Sequence, residues 1–306
     1  MTHLVFLPCL DSADLAAARQ TELRIPRRTG VRLGESAVAA TRQGSYQNGA
    51  GEQVTLEAAV RAAFNAKRSI PPDEVLPQPK PRAPTDTRVQ VCNETTLAAS
   101  RRFVQQGLRP LALNFANGTD AGGGFLKGSL AQEEVLCRSS ALHATLVGDP
   151  MYAAHDERPG EDSTDWAILS PAVPVFRTDD GAPLPQPWLL DVLTCAAPYA
   201  PTVGEKLSAD LLQRRIHRVL SIAQAYGYES LVLGAWGCGA FENDPQRTAA
   251  DFRHALEHEF RGAFSEIVFA ITDWSPSRRF LGPFRDAFVA EAPKATRRLR
   301  EKPTAP

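Results

Sequence analysis

The sequence predicts an α/β fold, in which a largely parallel sheet is covered by helices on both faces. Three observations lead to this prediction. From residue 88 onward, short apolar segments alternate with longer segments of helical character. The apolar segments are rich in Val, Leu and Ile, as strands buried on both faces are. Two glycine-rich segments each follow such a strand and precede a helix, which places both at the same edge of a parallel sheet.

Residues 1–86 are predicted to form a mainly helical N-terminal extension that packs on the core. Residues 11–24 start with capping residues and continue with many alanines, which is typical of a helix. The apolar residues of 53–67 are spaced for one helical face, or for a strand followed by a helix. Residues 71–86 contain six prolines and are expected to be a stiff connector.

The core is predicted to span residues 87–292, followed by a flexible tail at 293–306. Strands are predicted at 88–92, 110–115, 167–170, 173–176, 188–194, 230–233 and 266–271. The segments at 167–170 and 173–176 are expected near an edge, because proline is poorly tolerated inside a sheet. Helices are predicted from about 96 to 106, at 131–146, 205–226 and 245–261, and from about 277 to 291.

Composition excludes several classes of protein. The 306 residues are 43% hydrophobic and 23% charged with a net charge of −1, so the chain as a whole has no electrostatic signature of sequence-specific nucleic-acid binding. Five cysteines without a Cys-x-x-Cys pair indicate neither a disulfide framework nor a zinc site, and they favour a reducing cytoplasm. The apolar start is too short for a secretory signal, and no apolar run reaches membrane-spanning length. We therefore expect no membrane partner and no metal.

The two glycine-rich segments suit a diphosphate. Gly122, Gly123 and Gly124 follow the strand at 110–115, and glycines allow backbone N–H groups to approach an anion closely. Gly237, Cys238, Gly239 and Ala240 follow the strand at 230–233, and the helix start at Pro245 adds a positive dipole end. Neither segment has the pattern of a nucleotide-triphosphate loop or of a dinucleotide oxidoreductase. ATP hydrolysis and hydride transfer are thus poorly supported.

Taken together, these motifs resemble a known family. Gly122–Leu126, then Gln132-Glu133-Glu134 and Leu136–Ser140, are similar to the signature of the microbial-type poly(ADP-ribose) glycohydrolases, which are divergent macrodomains. Residues 233–245 resemble the second phosphate loop of that family, and the likeness extends to 44–46 and Asp273. The chain departs from the family pattern at Ala121, where proline is frequent, and in its polar segment 117–120.

The resemblance implies a three-layer α/β/α macrodomain with a mixed central sheet. It also implies a metal-independent glycosidase without a cofactor, which acts from the chain end, releases ADP-ribose and serves the response to DNA damage. Glu134 would be the general acid and base, with Glu133 bonded to the reacting ribose. Adjacent helical residues point about 100° apart, so the two cannot flank one bond as most glycosidase carboxylates do. The expected ADP-ribose contacts are Asn117, Gly122, Gly123, Gly124, Phe125, Gln132, Gly237, Cys238, Gly239, Ala240, Phe241 and Asn243.

Two alternatives stay open on the sequence alone. The same fold could remove single ADP-ribose units from proteins or nucleic-acid ends, and the polar segment 117–120 keeps this activity open. The chain could also be a module that binds ADP-ribose without cleaving it, although such a module has no use for a carboxylate at Glu134. In each case the partner is ADP-ribose or a macromolecule that carries it.

Overall fold

The computed structural model describes residues 3–79, 81, 83 and 85–289, and the predicted tail at 293–306 lies outside this part. Its centre is an eight-stranded sheet. In spatial order, with labels in chain order, the strands are β1 (Leu4–Phe6), β5 (Thr87–Cys92), β10 (Glu266–Ala270), β9 (Ser230–Leu233), β6 (Pro110–Ala116), β8 (Pro183–Ala196), β7 (Ala167–Arg177) and β4 (Arg68–Ile70). In this order, neighbouring strands from β1 to β8 are parallel to each other. Strand β7 is antiparallel to β8, and β4 is antiparallel to β7. The predicted mixed, largely parallel sheet is confirmed.

Helices cover both faces of this sheet. In chain order they are α1 (Ala13–Leu23), α2 (Arg27–Gln43), α3 (Glu57–Ala66), α4 (Thr96–Gln105), α5 (Gln132–Ser139), α6 (Leu142–Leu146), α7 (Pro150–Asp156), α8 (Ala200–Val203), α9 (Glu205–Ala225), α10 (Pro245–Glu257) and α11 (Leu281–Ala287). One apolar cluster joins the sheet to α9, α10 and α11, and a second joins it to α2, α4, α5 and α6. The molecule thus has the three layers that were expected. None of the described helices is both long and apolar enough to cross a membrane.

The N-terminal region enters the central sheet instead of only packing against it. Its first strand, β1, pairs with β5, and β4 pairs with β7, so this region supplies both edge strands. A short hairpin of β2 (Ser45–Gln47) and β3 (Gln53–Thr55) lies outside the sheet. The predicted helix at 11–24 and the strand and helix at 53–67 are confirmed as α1 and as β3 with α3. The domain boundary near residue 86 stays a prediction.

The helices of the structure differ from the sequence prediction in two places. Helix α2 was not expected, because Gly30 and Gly34 weaken the helical pattern. In the structure these glycines let α2 approach the chain closely: a Cβ on Gly34 would lie 2.7 Å from the carbonyl oxygen of Phe125. The single helix predicted at 131–146 is broken at Ser140, which adopts φ −144° and ψ 178° and bridges to Val175 of β7. Helix α5 is therefore short, and only its first turn faces the functional edge of the sheet.

Candidate active site

A cavity of about 600 Å³ opens at the carboxyl ends of five strands. Its walls include the segments that follow β5, β6, β8, β9 and β10, together with the start of α5. Ligands of parallel α/β sheets bind at this edge, and the volume is typical of a small-molecule site. Both glycine-rich segments reach the cavity, as the sequence predicted.

The first glycine segment folds over the two glutamates of α5. Gly122 and Gly123 have φ values of 78° and 57°, which glycine adopts without the strain of a side chain. The Gly124 N–H donates to Glu134 Oε1 at 2.9 Å, and the Gly123 N–H donates to the Asp120 carbonyl at 2.9 Å. These donors are therefore already occupied. Two of the three N–H groups of the predicted phosphate cradle are thus bonded within the protein, and one of these two holds a carboxylate.

Glu133 is fixed in position by several donors. Its side chain is 3% exposed, and it accepts hydrogen bonds from the Asn117 N–H at 2.7 Å and from Asn114 Nδ2 at 3.2 Å. Burial raises the pKa of Glu133 to about 8, against the opposing effect of these hydrogen bonds. This geometry makes Glu133 a rigid acceptor, suited to orienting a sugar hydroxyl.

Glu134 is held differently. One oxygen, Oε1, accepts the Gly124 N–H, whereas the buried Oε2 has no hydrogen-bond partner within the described residues. The side chain lines the cavity and is 8% exposed. An unpaired buried oxygen is costly unless a ligand completes its hydrogen bonding. Of the two carboxylates, Glu134 is thus the one with a free oxygen for proton transfer.

Two amide side chains support this arrangement. Gln132, which was predicted to contact the ligand, lines the cavity. Its Oε1 accepts the Phe115 N–H at 2.9 Å, and its Nε2 donates to the Leu113 carbonyl at 2.8 Å. It thereby fastens α5 to the end of β6. Asn114 was not predicted, although an asparagine inside an otherwise apolar strand signals a buried polar role. It joins Glu133 to Thr194 Oγ1 of β8 at 3.2 Å.

The second glycine segment does offer free donors. Gly239, Ala240 and Phe241 line the cavity, and their N–H groups donate to no other group in the part of the chain that is described. Successive N–H groups of this kind form an anion-binding concavity. The N-terminus of α10 does not add to it, because Asp244 caps that helix through a bond from the Gln246 N–H at 2.9 Å. A diphosphate is therefore best accommodated at residues 239–241.

Several residues that were predicted to contact ADP-ribose make packing contacts or hydrogen bonds within the protein. Phe125 is 2% exposed and packs on Gly34 and His143, so it cannot wall a ribose. Cys238 is 1% exposed, and burial raises the pKa of its thiol to about 12. Asn243 is 5% exposed; it donates to the Pro198 carbonyl at 2.9 Å and accepts from Ser208 Oγ at 2.6 Å. Gly237 accepts the Asn243 N–H at 3.0 Å, so these residues shape the loop.

Aromatic side chains complete the walls. Phe241 lines the cavity and packs edge-on against Tyr199, with ring centroids 5.6 Å apart. Trp274 and Phe280, which follow β10, also line the cavity, and Trp274 is 43% exposed. Asp273 accepts the N–H groups of Phe280 and Leu281 and so caps α11. Asn117 lines the cavity beside Glu133, but its Oδ1 accepts the Thr119 N–H at 2.8 Å, which leaves only its amide nitrogen for a ligand.

His155 supports the polar segment 117–120. It was not predicted from the sequence, because it belongs to no motif with a recognisable spacing. Its Nε2 accepts the Thr164 N–H at 3.1 Å, so Nδ1 carries the proton and donates to the Gly118 carbonyl at 3.1 Å. The Asn117 N–H next to this carbonyl holds Glu133. His155 is 3% exposed, and burial lowers its pKa. Neutral His155 is thus part of the support for Glu133.

We expect this support to weaken in acid. The unfolded chain binds a proton at His155 below about pH 6.5, whereas the folded chain resists it. The free energy of unfolding should therefore fall as the pH drops below about 6.5, and fall less in His155→Asn, which keeps a donor for Gly118 but has no comparable titration. Urea unfolding between pH 5 and 8 measures both slopes. Equal slopes in the two proteins would rule out a contribution from His155.

No group of three or more His, Cys, Asp or Glu side chains suited to a metal ion occurs among the described residues. His254 and His258 stack on each other, with ring centroids 4.2 Å apart, and His258 Nδ1 bonds to the His254 carbonyl. They lie on the face of the sheet covered by α10, and neither lines the cavity. Their contacts are those of helix-terminal residues.

Comparison with known proteins agrees with this site. Residues 34–178 match the family model described as microbial-type PARG, catalytic domain. A poly(ADP-ribose) glycohydrolase from Thermomonospora curvata is 36% identical, with a TM-score of 0.80, and the match covers 85% of this chain and 99% of that one. The same enzyme bound to the inhibitor ADP-HPD matches at 35% identity and a TM-score of 0.78, with the same coverage.

A second organism gives the same result. Poly(ADP-ribose) glycohydrolase from Deinococcus radiodurans in complex with ADP-ribose is 36% identical, with a TM-score of 0.67 over 76% of this chain and 98% of that one. No curated protein sequence matches the chain. Identity above a third over nearly the whole of these enzymes extends well beyond the glycine and glutamate motifs. The chain belongs to the family of microbial-type poly(ADP-ribose) glycohydrolases.

Proposed function

We propose that this protein hydrolyses the ribose–ribose O-glycosidic bond of poly(ADP-ribose) and releases ADP-ribose. The observation that carries the proposal is Glu134, which lines the cavity. Its buried Oε2 has no partner among the described residues, while Oε1 is held by Gly124. Family membership supports the same activity. No group in the site requires a metal or an organic cofactor for this reaction.

The reaction runs through Glu134 in two steps. Protonated Glu134 donates its proton to the bridging oxygen as the bond from that oxygen to the anomeric carbon breaks, so the leaving chain ends in a hydroxyl. The ribose that remains has oxocarbenium character, and the negative diphosphate of the same unit stabilises its positive charge. The Glu134 carboxylate then takes a proton from a water as its oxygen attacks the anomeric carbon. Glu134 is thereby returned to its protonated form.

The other groups position the substrate. The N–H groups of residues 239–241 bind the diphosphate, and Glu133 accepts hydrogen bonds from ribose hydroxyls. A carboxylate oxygen can accept more than one hydrogen bond, so the donors already on Glu133 leave capacity for a ligand. Phe241, backed by Tyr199, forms the wall of the terminal ribose. Phe280 and Trp274 offer aromatic faces to the adenine.

Cleavage is expected to start from chain ends. Phe241 and Tyr199 close the ribose site on one side, which favours a terminal unit over an internal one. Long polymer labelled at one end should therefore yield mostly free ADP-ribose from the earliest times, measured by chromatography of the products. Early appearance of long oligomers would show internal cleavage and contradict this mode of binding.

Removal of single ADP-ribose units is the second candidate. Asp120 lines the cavity, and the segment 117–120 ends in exposed Thr119 and Asp120, so polar groups at the mouth could accept an adduct other than a sugar. Incubation with polymer and, separately, with mono-ADP-ribosylated protein distinguishes the two activities. Binding without any product from either substrate would instead indicate a non-catalytic module. A cytoplasmic location and a role in the response to DNA damage remain part of the proposal, on the cysteine usage and the family resemblance.

A further inference from the structure

The surface next to the cavity carries a concentration of positive charge. Residues 19–32 contain five arginines and one glutamate, although the net charge of the whole chain is −1. Arg19 pairs with Glu22 at 2.7 Å. The other four arginines are exposed and have no carboxylate partner in the part of the chain that the structure describes: Arg24, Arg27, Arg28 and Arg32. We call Arg24, Arg27, Arg28 and Lys127 the basic patch.

The basic patch borders the cavity at two points. Arg27 Nε donates to the Lys127 carbonyl at 2.9 Å. Lys127 is exposed and lies on the turn between Gly124 and Ser129, both of which line the cavity. Its Nζ pairs with Asp120 at 3.8 Å, so the unpaired charge of the patch is that of its three arginines. On the other side, Arg24 directly follows Leu23, which also lines the cavity. The patch therefore lies beside the turn whose Gly124 N–H holds Glu134.

Apart from the bond of Arg27 Nε to the Lys127 carbonyl, local structure does not account for the charges of the arginines in the patch. Arg27 and Arg28 occupy the first turn of α2, which has no acidic residue. Positive side chains are unfavourable at the N-terminus of a helix, where the macrodipole is already positive. Arg28 makes no side-chain hydrogen bond or ion pair among the described residues. The charges thus oppose the stability of α2, and a bound polyanion would offset that cost.

We propose that the basic patch binds the diphosphates of the poly(ADP-ribose) chain beyond the scissile bond. The inference rests on the proposed function. The diphosphate of the terminal unit lies at residues 239–241, after β9, whereas the scissile bond lies at Glu134 on α5. The leaving sugar therefore continues away from β9, toward the turn at 124–129 and the patch. Each further unit brings two negative charges, and screening at physiological salt limits the interaction to the nearest units.

The test compares two charge-matched double variants. Arg24→Gln with Arg28→Gln removes two charges of the patch. Arg42→Gln with Arg214→Gln removes two exposed arginines elsewhere, and Arg42 is about 21 Å along α2 from Arg28. Two substrates are used: long polymer, and ADP-ribose with a neutral aryl leaving group, which has no chain beyond the scissile bond. The KM for polymer and its salt dependence are measured for each protein.

The patch variant should raise the KM for polymer about threefold to tenfold and flatten its salt dependence, as expected for the loss of two phosphate contacts. Its kinetics on the aryl substrate, and the control variant on both substrates, should match the wild type. An equal rise in both double variants would overturn the inference. So would an equal loss on the aryl substrate, or competition by duplex DNA that is as strong as that by polymer of equal phosphate number.

Failure of the proposed function gives a different result. If the wild type cleaves neither substrate, the glycohydrolase proposal fails. The patch is then judged by direct binding of end-labelled polymer, measured by fluorescence anisotropy. Weaker binding by the patch variant alone supports the inference, and equal binding by all three proteins overturns it.

Discussion

Glu134→Gln should reduce the turnover of poly(ADP-ribose) by about 10²- to 10⁴-fold, because the amide keeps the shape of the side chain but cannot exchange a proton. The variant should fold normally, since an amide oxygen can still accept the Gly124 N–H that Oε1 accepts. Its affinity for ADP-ribose should change little, because the diphosphate and the adenine are bound elsewhere in the cavity. Single-turnover kinetics measure the rate, and calorimetry measures the affinity.

Glu133→Gln is the matched neighbour for this experiment. In this variant the amide nitrogen of Gln would face Asn114. The Oδ1 atom of Asn114 has no partner among the described residues, and after the Asn114 amide flips it can accept a hydrogen bond from that nitrogen. We therefore expect Glu133→Gln to retain its fold and to lose less activity than Glu134→Gln, mainly through substrate positioning. A Glu134→Gln protein that turns over polymer near the wild-type rate would transfer the proton chemistry to another group, such as Glu133 or the diphosphate of the substrate.

The sequence predicted the edge of the sheet at which the cavity lies, but it did not distinguish the roles of the two glycine loops. The position of each loop could be predicted, because a strand followed by a glycine run and a helix places the loop at the carboxyl ends of parallel strands. Which way an N–H group points depends on backbone dihedrals that glycine leaves open. Gly123 and Gly124 turn their N–H groups inward, to Asp120 and Glu134, whereas the loop at 239–241 leaves its donors free.

Side-chain roles were harder to predict for a related reason. Phe125 and Phe241 have the same place in their motifs, each at the end of a glycine segment. Only helix α2 distinguishes them, because Gly34 approaches Phe125 so closely that the ring is enclosed in the core. That contact joins residues far apart in the chain and depends on a helix that the local pattern did not show. The edge strands β1 and β4 were missed similarly, because three residues are too few for a periodic signal.

The assignment of the diphosphate to the second loop alone leads to the remaining large prediction. At Gly123, φ is 57° and an added Cβ would lie 2.6 Å from Glu134 Oε1, so a substitution there would disturb the carboxylate that we propose as the catalytic group. At Gly239, an added Cβ meets no atom within 4 Å, and its φ lies outside the left-handed region. Substitution of Gly239 therefore probes the ligand site without straining the fold.

Gly239→Val should weaken the binding of ADP-ribose by about 10- to 100-fold, since each lost hydrogen bond to a charged group costs about 1.5–3 kcal/mol. Gly239 lines the cavity, and its new side chain would enter open space there, beside the proposed diphosphate site. Gly49→Val is the control, because Gly49 is equally open and lies between β2 and β3, away from the cavity. Both variants should unfold at the wild-type temperature. Unchanged affinity of Gly239→Val in calorimetry would exclude residues 239–241 as the diphosphate site, because a branched side chain there cannot coexist with a phosphate bonded to those N–H groups.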